Sequence, residues 1–339
     1  MRMDTSLGLS RTESITEIAT HGKKAEQLGF DAIWASETRH DPFLQLALVA
    51  AHTKSIKLGT NIALAFPRSP TTLAYTAWDL QRMSQGRFIL GLGTQIKAHI
   101  ERRFGMVWDR PTARLREYIL ALRHIWECWQ TGAKLNFRGE FFTLTLMSPF
   151  FNPGPISPNE HPNIPIYIAG VNEKLCQLAG ELCEGFHVHP FHTPKYLSEF
   201  VLPHIETGLR VSGRARSHIQ LASSVFVVAG DDAAERAKNR EAVRQQVSFY
   251  ASTPSYHIVF ALHGWQAIAT QLSALAARGK WDEMPTLISD EMLTEFAVEG
   301  TWAQLPALLR IRYTGLLDRI SLYLEGGTDE ALKVLIKGM

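Results

Sequence analysis

The sequence predicts a single (β/α)8 barrel spanning residues 1–339, with insertions at about 130–164 and 253–300, and three observations carry that reading. Short apolar strands alternate strictly with amphipathic helices, the pattern of parallel strands joined by helical crossovers. The strands show little polar alternation, so both of their faces are covered. The 339 residues exceed an average domain but suit one barrel with insertions. An open doubly wound sheet is the competing architecture, because the strand count reaches eight only if the two irregular regions are insertions.

Met1–Leu7 reads as the first strand. Ser10 with Glu13 forms a capping-box pattern that opens a helix through Ile15, Ile18, Ala25 and Leu28, and Gly29 stops it. Asp31–Ala35 reads as strand two, followed by a helix after Pro42, a residue suited to the first helical position. Ile56–Leu64 reads as strand three with a helix over Thr71–Met83, and Arg87–Leu92 as strand four. The stripe Leu115, Ile119, Leu122, Ile125, Trp126 and Trp129 predicts a long helix over Asp109–Trp129 whose tryptophans belong to the core.

The first insertion holds a turn at Arg138-Gly139-Glu140 between two short strands in Leu135–Leu146. The Pro-, Gly- and Asn-rich stretch Ser148–Pro165 follows as a loop. Pro165–Ala169, Gly185–His189 and Ile219–Ala229 read as strands five, six and seven. Asp231 reads as the cap of a helix to about Tyr250, with Glu235–Arg244 as its solvated face. The second insertion carries helices at Trp265–Ala277 and near Asp290–Phe296. A helix over Trp302–Tyr313 and strand eight at Arg319–Leu324 complete the pattern.

Composition narrows the function classes. Apolar residues make up 45% of the chain, enough for a large core. A formal net charge of +2 argues against nucleic acid or an anionic membrane as partner. No apolar run approaches the roughly 20 residues of a spanning helix, and Met1–Ser10 lacks a signal pattern. Cys128, Cys176 and Cys183 show no CxxC pairing and read as reduced, packed thiols of a cytoplasmic protein.

In a barrel of parallel strands the site lies at their C-terminal ends. That rule selects Ser36–Asp41 after strand two; Asn61, Ile62, Ala63 and Phe66 after strand three; Gly93, Thr94 and Gln95 after strand four; Gly170, Val171 and Asn172 after strand five; and His187, His189 and His192 after strand six. Gly91 and Gly93 end a strand where backbone must approach a ligand closely. Gly170–Asn172 precede a helix start, where backbone N–H groups can hold a phosphate, although an ordinary strand-to-helix turn looks the same.

His187 and His189 share a face of a strand and, with His192, raise a zinc-site reading and hence a metal-dependent hydrolase. No partner set of ligating residues stands at the other strand ends, so the expected metal is none and the histidines read as cofactor or substrate contacts. His40 is the acid–base candidate, because an unperturbed histidine titrates at about 6.5, close to working pH. Glu37 or Asp41 stands near enough in sequence to orient its ring.

Several runs resemble the luciferase-like monooxygenase superfamily: Gly29–Trp34 through Ser36-Glu37, Ile56–Asn61 followed by Arg68-Ser69-Pro70, Asp79–Gly93, Phe137–Phe142 and Pro165–Gly170. Ser36–Phe43, Gly93–Phe104, His187–His192 and Phe249–Pro254 are similar to a subfamily dependent on deazaflavin, coenzyme F-420. The resemblance implies a bacterial-luciferase-like barrel working as an oxidoreductase on a small-molecule substrate, as a homodimer through helices near strands two and three.

It further implies a flavin-like ring over the barrel mouth, with a non-proline cis peptide behind it matching Asn61–Ile62. Gly93, Thr94 and Gln95 would lie beneath the cofactor, its phosphate near Gly170, Val171 and Asn172, and His187 in contact with it. His40 with Glu37 would handle the substrate's proton, and Phe66, Arg68 and His189 would contact substrate. Deazaflavin dehydrogenases of the superfamily carry Ser-Asp-His after strand two, where this chain has Ser36-Glu37-Thr38, so His40 stands two residues late. Two alternatives remain open: a monooxygenase using reduced FMN and oxygen, and a non-catalytic flavin-binding or partner subunit.

Overall fold

The computed structural model describes residues 1–7, 14–158, 161–323 and 326–339. Its barrel strands are β1 (Arg2–Met3) and β2 (Thr5–Leu7), β3 (Ala32–Ala35), β4 (Lys57–Thr60) and β5 (Ala63–Leu64), β6 (Phe88–Gly93), β9 (Ile166–Gly170), β10 (Gly185–Val188), β11 (Gln220–Ala229) and β13 (Arg319–Leu322). Three strands stand outside that set: the hairpin β7 (Phe137–Arg138) with β8 (Thr143–Leu144), and β12 (Ala297–Gly300). Every barrel pairing is parallel. The order runs β13, β11, β10, β9, β6, β4, β3, and the first strand joins its two ends. β1 pairs with β13 through Arg2 opposite Arg319, and β2 pairs with β3 through Thr5 opposite Ile33. The sheet is therefore closed, and the open doubly wound alternative is set aside.

Two apolar regions result. The larger lies between the strands and the surrounding helices and includes Trp78, Trp126 and Trp129 as expected. The smaller lies inside the barrel around Ala32, Trp34, Ile89, Tyr167 and Ala222. Period-2 alternation sends one set of strand side chains outward and the other inward. The inward set includes the buried pair Arg319 and Asp4. Arg319 Nε donates to Asp4 Oδ2 (2.9 Å) and Nη2 to Oδ1 (2.7 Å), and Trp34 Nε1 donates to Oδ2 (2.9 Å). Arg319 Nη2 also reaches Asp31 Oδ2 at 2.5 Å.

Several boundaries differ from the sequence reading. The Ser10–Glu13 box lies outside the described residues. Among those described, Ser14 and Glu17 form the capping box and the helix runs Ile18–Leu28. Asp232, not Asp231, caps the helix Ala233–Ala251, accepting from the Glu235 N–H. Asp231 instead accepts from the Trp302 N–H. Strand eight is observed to Leu322, and the expected end at Leu324 lies outside the described residues. The short helix Lys97–Arg102, the helix Leu202–Ser212 and the last helix Asp329–Gly338 were not read from the sequence. β12 was missed as well: four residues carry too short a pattern to separate from the helix end before them. It pairs in parallel with the far half of β11, Phe226–Ala229 against Ala297–Gly300.

Two glycines of β6 differ in what encloses them. A Cβ at Gly91 would fall 1.9 Å from the Thr60 carbonyl oxygen, which is backbone. A Cβ at Gly93 would fall 2.5 Å from Ile62 Cδ1, the far end of a flexible side chain. Gly91→Ala is therefore expected to abolish soluble folded protein, whereas Gly93→Ala folds with a small loss in denaturation midpoint. Circular dichroism and urea melts of the two variants check the contrast. Arg319→Met leaves the Asp4 carboxylate buried and unpaired, and a urea titration should show a loss of about 3–5 kcal/mol.

Candidate active site at the C-terminal mouth of the barrel

The loop after β3 is held by an ion-pair network. Asp41 caps the helix Pro42–His52, its Oδ1 accepting from the N–H groups of Phe43 (2.8 Å) and Leu44 (3.3 Å), with Pro42 at the first helical position. Its Oδ2 accepts from Arg68 Nη2 at 2.9 Å. Glu37 accepts from Arg68 Nη1 with both oxygens (2.9 and 2.7 Å) and from the Leu64 N–H (2.7 Å). The Glu37 and Arg68 side chains are only 10% and 19% exposed, so solvent screens the pair weakly. Burial opposes the charge on Arg68, but its bonds to Glu37 and then Asp41 raise its pKa above the ordinary value.

Glu37, expected to act with His40, is drawn into this network. Both of its oxygens are committed to Arg68 and the β5 backbone, and among the described residues no hydrogen bond joins His40 to Glu37 or Asp41. His40 stands half-buried at the start of the helix. Arg68, expected to meet substrate, is spent on two carboxylates and lies over the Phe43 ring (5.2 Å). Phe66 is 1% exposed, beneath the Arg114 guanidinium (5.0 Å) and beside Trp108 (5.8 Å). Phe66 and Arg68 thus build the wall of the mouth.

Between β4 and β5 the Asn61–Ile62 peptide is cis. The Asn61 N–H donates to the Ala35 carbonyl (2.8 Å), and the Ile62 carbonyl accepts from the Glu37 N–H (3.3 Å). The Ile62 side chain rests on Gly93, which has none of its own, and the two form an apolar ledge beside β6. Beyond it, Thr94 Oγ1 donates to the Gln95 carbonyl (3.1 Å), and Gln95 adopts a positive φ of 59°. Arg103 Nη2 donates to the Thr38 carbonyl (3.0 Å), joining the loops after β6 and β3.

On β9, the strand next to β6, Gly170 and Val171 lead into Asn172, which caps the helix Glu173–Leu182 by accepting from the Leu175 N–H (3.0 Å). Tyr196 Oη donates to the Val171 carbonyl (3.4 Å). His187 lies deeper, inside the barrel, its ring 4.8 Å edge-on to Trp34 and 5.2 Å from Tyr167. Neither of its nitrogens has a hydrogen-bond partner among the described residues. Burial, then the nearby Arg319 charge, push its pKa down to about 3.

His189 follows at the end of β10, packed against Tyr250 and Tyr256. His192 turns away, its Nδ1 2.9 Å from the His189 carbonyl oxygen. The three histidines do not converge, and no group of three or more His, Cys, Asp or Glu side chains suited to a metal ion is present among the described residues. The three cysteines are buried and free. No helix among the described residues is long and apolar enough to cross a membrane.

Sequence reading missed the tyrosines of the mouth. Tyr323 directly follows β13 and would have been found by carrying the strand-end rule past strand six. Tyr250 falls in the run Phe249–Pro254, which drew notice only as a resemblance; it ends the helix Ala233–Ala251, and Tyr256 closes the turn Pro254–Tyr256 that follows, so only the fold brings the two beside His189.

Comparison with known proteins agrees with this architecture. The family model for luciferase-like monooxygenases matches residues 2–318. An uncharacterized protein of Mycobacterium tuberculosis is 44% identical over 312 residues, covering 92% of this chain and 91% of that one. The 5,10-methylenetetrahydromethanopterin reductase of Archaeoglobus fulgidus is 29% identical over 293 residues, covering 84% of this chain and 82% of its own. Among solved structures, the coenzyme F-420 dependent tetrahydromethanopterin reductase of Methanopyrus kandleri superposes with a TM-score of 0.80 at 20% identity, covering 99% of this chain and 97% of that one, a likeness of fold. The chain belongs to the luciferase-like monooxygenase family and is an enzyme of the oxidoreductase class.

Proposed function

We propose that this enzyme uses coenzyme F-420, a deazaflavin, to move a hydride to or from a small organic substrate at the C-terminal mouth of the barrel. The observation that carries the reading is the ledge of Ile62 on Gly93, which offers a planar ring an apolar rest at the strand ends, where the loop after β3 also carries the half-buried His40. A reductase name on a 29% identical relative supports the reaction class. The choice of deazaflavin rests on the runs Ser36–Phe43 and Gly93–Phe104 rather than on likeness of fold.

The residues present fit such a group. Ile62 and Gly93 would support the ring, with Asn61, Thr94 and Gln95 at its rim. His187, whose buried nitrogens make no hydrogen bond of full geometry among the described residues, would offer a neutral polar group beneath the strand ends. The N–H groups at the start of the helix Glu173–Leu182, reached through Gly170, Val171 and Asn172, suit an anionic tail. When bound, the cofactor supplies the hydride acceptor or donor. His40 takes the proton of a substrate hydroxyl in the oxidative direction and returns it in the reductive one. Glu37 holds Arg68 and the β5 backbone in place, and so positions the loop that carries His40.

Fluorescence titration of the purified protein tests the cofactor. Tight deazaflavin binding with weak FMN binding is expected. The reverse, with oxygen-dependent turnover, would replace this reading with the monooxygenase. Binding of either without turnover on a broad substrate panel would leave a binding subunit. His40→Ala should lower kcat by roughly 100-fold, within the usual range for a general acid–base group, while deazaflavin affinity stays within about twofold. An unchanged kcat removes His40 from the chemistry.

A further inference from the structure

His189 is held in one tautomer and one orientation. Its Nδ1 accepts from the Phe191 N–H (3.1 Å), which places the ring proton on Nε2. The ring stacks on Tyr256, with centroids 4.3 Å apart and planes 26° apart, and meets Tyr250 edge-on at 4.7 Å and 88°. Tyr250 is itself fixed from the end of β13, two strands along from β10: its hydroxyl lies 2.6 Å from that of Tyr323, the residue after β13. The His189 Nε2–H has no partner among the described residues. An aromatic clamp, built by the end of the helix Ala233–Ala251 and the turn after it, therefore presents a single N–H donor at the strand ends.

From this arrangement we propose that His189 donates a hydrogen bond through Nε2 to a carbonyl oxygen of the bound ligand, and that Tyr250 and Tyr256 are its positioning residues. The inference rests on reading the barrel mouth as the reaction site. Burial, then His192, push the His189 pKa down to about 3. The groups facing it are Tyr250 from the helix Ala233–Ala251, Tyr256 from the turn Pro254–Tyr256, and His192 on its own loop. The imidazole thus stays neutral across the working range, and its task differs from that of His40. His40 exchanges a proton, whereas His189 polarises an oxygen without changing its own charge.

Long-range 15N–1H spectra of the full chain test the clamp without reference to activity. Wild type should show the Nε2–H tautomer unchanged from pH 8 to pH 5, and Tyr256→Leu should show mixed tautomers or a titration inside that range. A wild-type ring protonated on Nδ1, or titrating near 6.5, overturns the proposal, as does a Tyr256→Leu spectrum identical to wild type.

Saturation with coenzyme F-420, followed independently by fluorescence, then identifies the oxygen. A shifted Nε2–H resonance assigns it to the cofactor ring. An unmoved resonance, with kcat/KM roughly 100-fold lower in His189→Leu and within about tenfold of wild type in His189→Gln, which keeps an N–H donor, assigns it to the substrate. An unmoved resonance with equal losses in both variants overturns the role. Failure of fluorescence to detect any cofactor would count against the proposed function, while the tautomer spectra would still decide the clamp.

Discussion

The closure of the barrel depends on one buried contact. Arg319 on the last strand grips Asp4 on the first through two parallel hydrogen bonds, and the Trp34 indole on the next strand donates to the same carboxylate. Three strands that meet at the seam are thus joined by side chains as well as by their ladders. Both charges lie in an interior from which water is excluded, where each alone would cost several kcal/mol, so neither residue can change without the other. A planar guanidinium suits the place because it meets the carboxylate with two bonds at once. Everything at the mouth is measured from this seam: Tyr323 stands four residues along from Arg319, and the loop after β3 begins two residues beyond Trp34.

Charge is distributed at the mouth with the same economy. Glu37 and Asp41 are both consumed by Arg68, which locks the ends of β3 and β5 together. The histidines divide by depth. His187 is dry and neutral within the barrel, His189 is neutral within an aromatic clamp, and His40 stands half-buried at a helix start. For His187 and His189, desolvation is the first cause that holds the ring neutral.

The strand–helix rhythm was legible because each barrel strand is a short apolar run bounded by turn residues, and the strand-end rule then pointed to the loops at the C-terminal ends of those strands. Asn61–Ile62, Gly93 and Asn172 were placed correctly at strand ends by that route. What sequence order does not contain is which of several nearby charges meet. Glu37, Asp41, His40 and Arg68 offer several pairings, and only the turn after β5 decides that Arg68 takes both carboxylates. Asp232 displaced Asp231 as a cap for a similar reason, since adjacent aspartates are equal candidates until backbone angles choose. β12 escaped notice because its four residues run straight on from a helix end, and nothing local in the sequence points to its partner 71 residues earlier.

β11 is ten residues long, and its far half outlasts the barrel to pair with β12. The segment between them is therefore tethered at both ends to one continuous strand, as a bridge deck is to its girder. Its backbone hydrogen bonds ignore side-chain identity, so the intervening turns and helices are free to diverge in sequence while both ends of the segment stay anchored. Exchange of side chains such as Tyr250 and Tyr256 would then change what surrounds His189 without moving the frame that carries them.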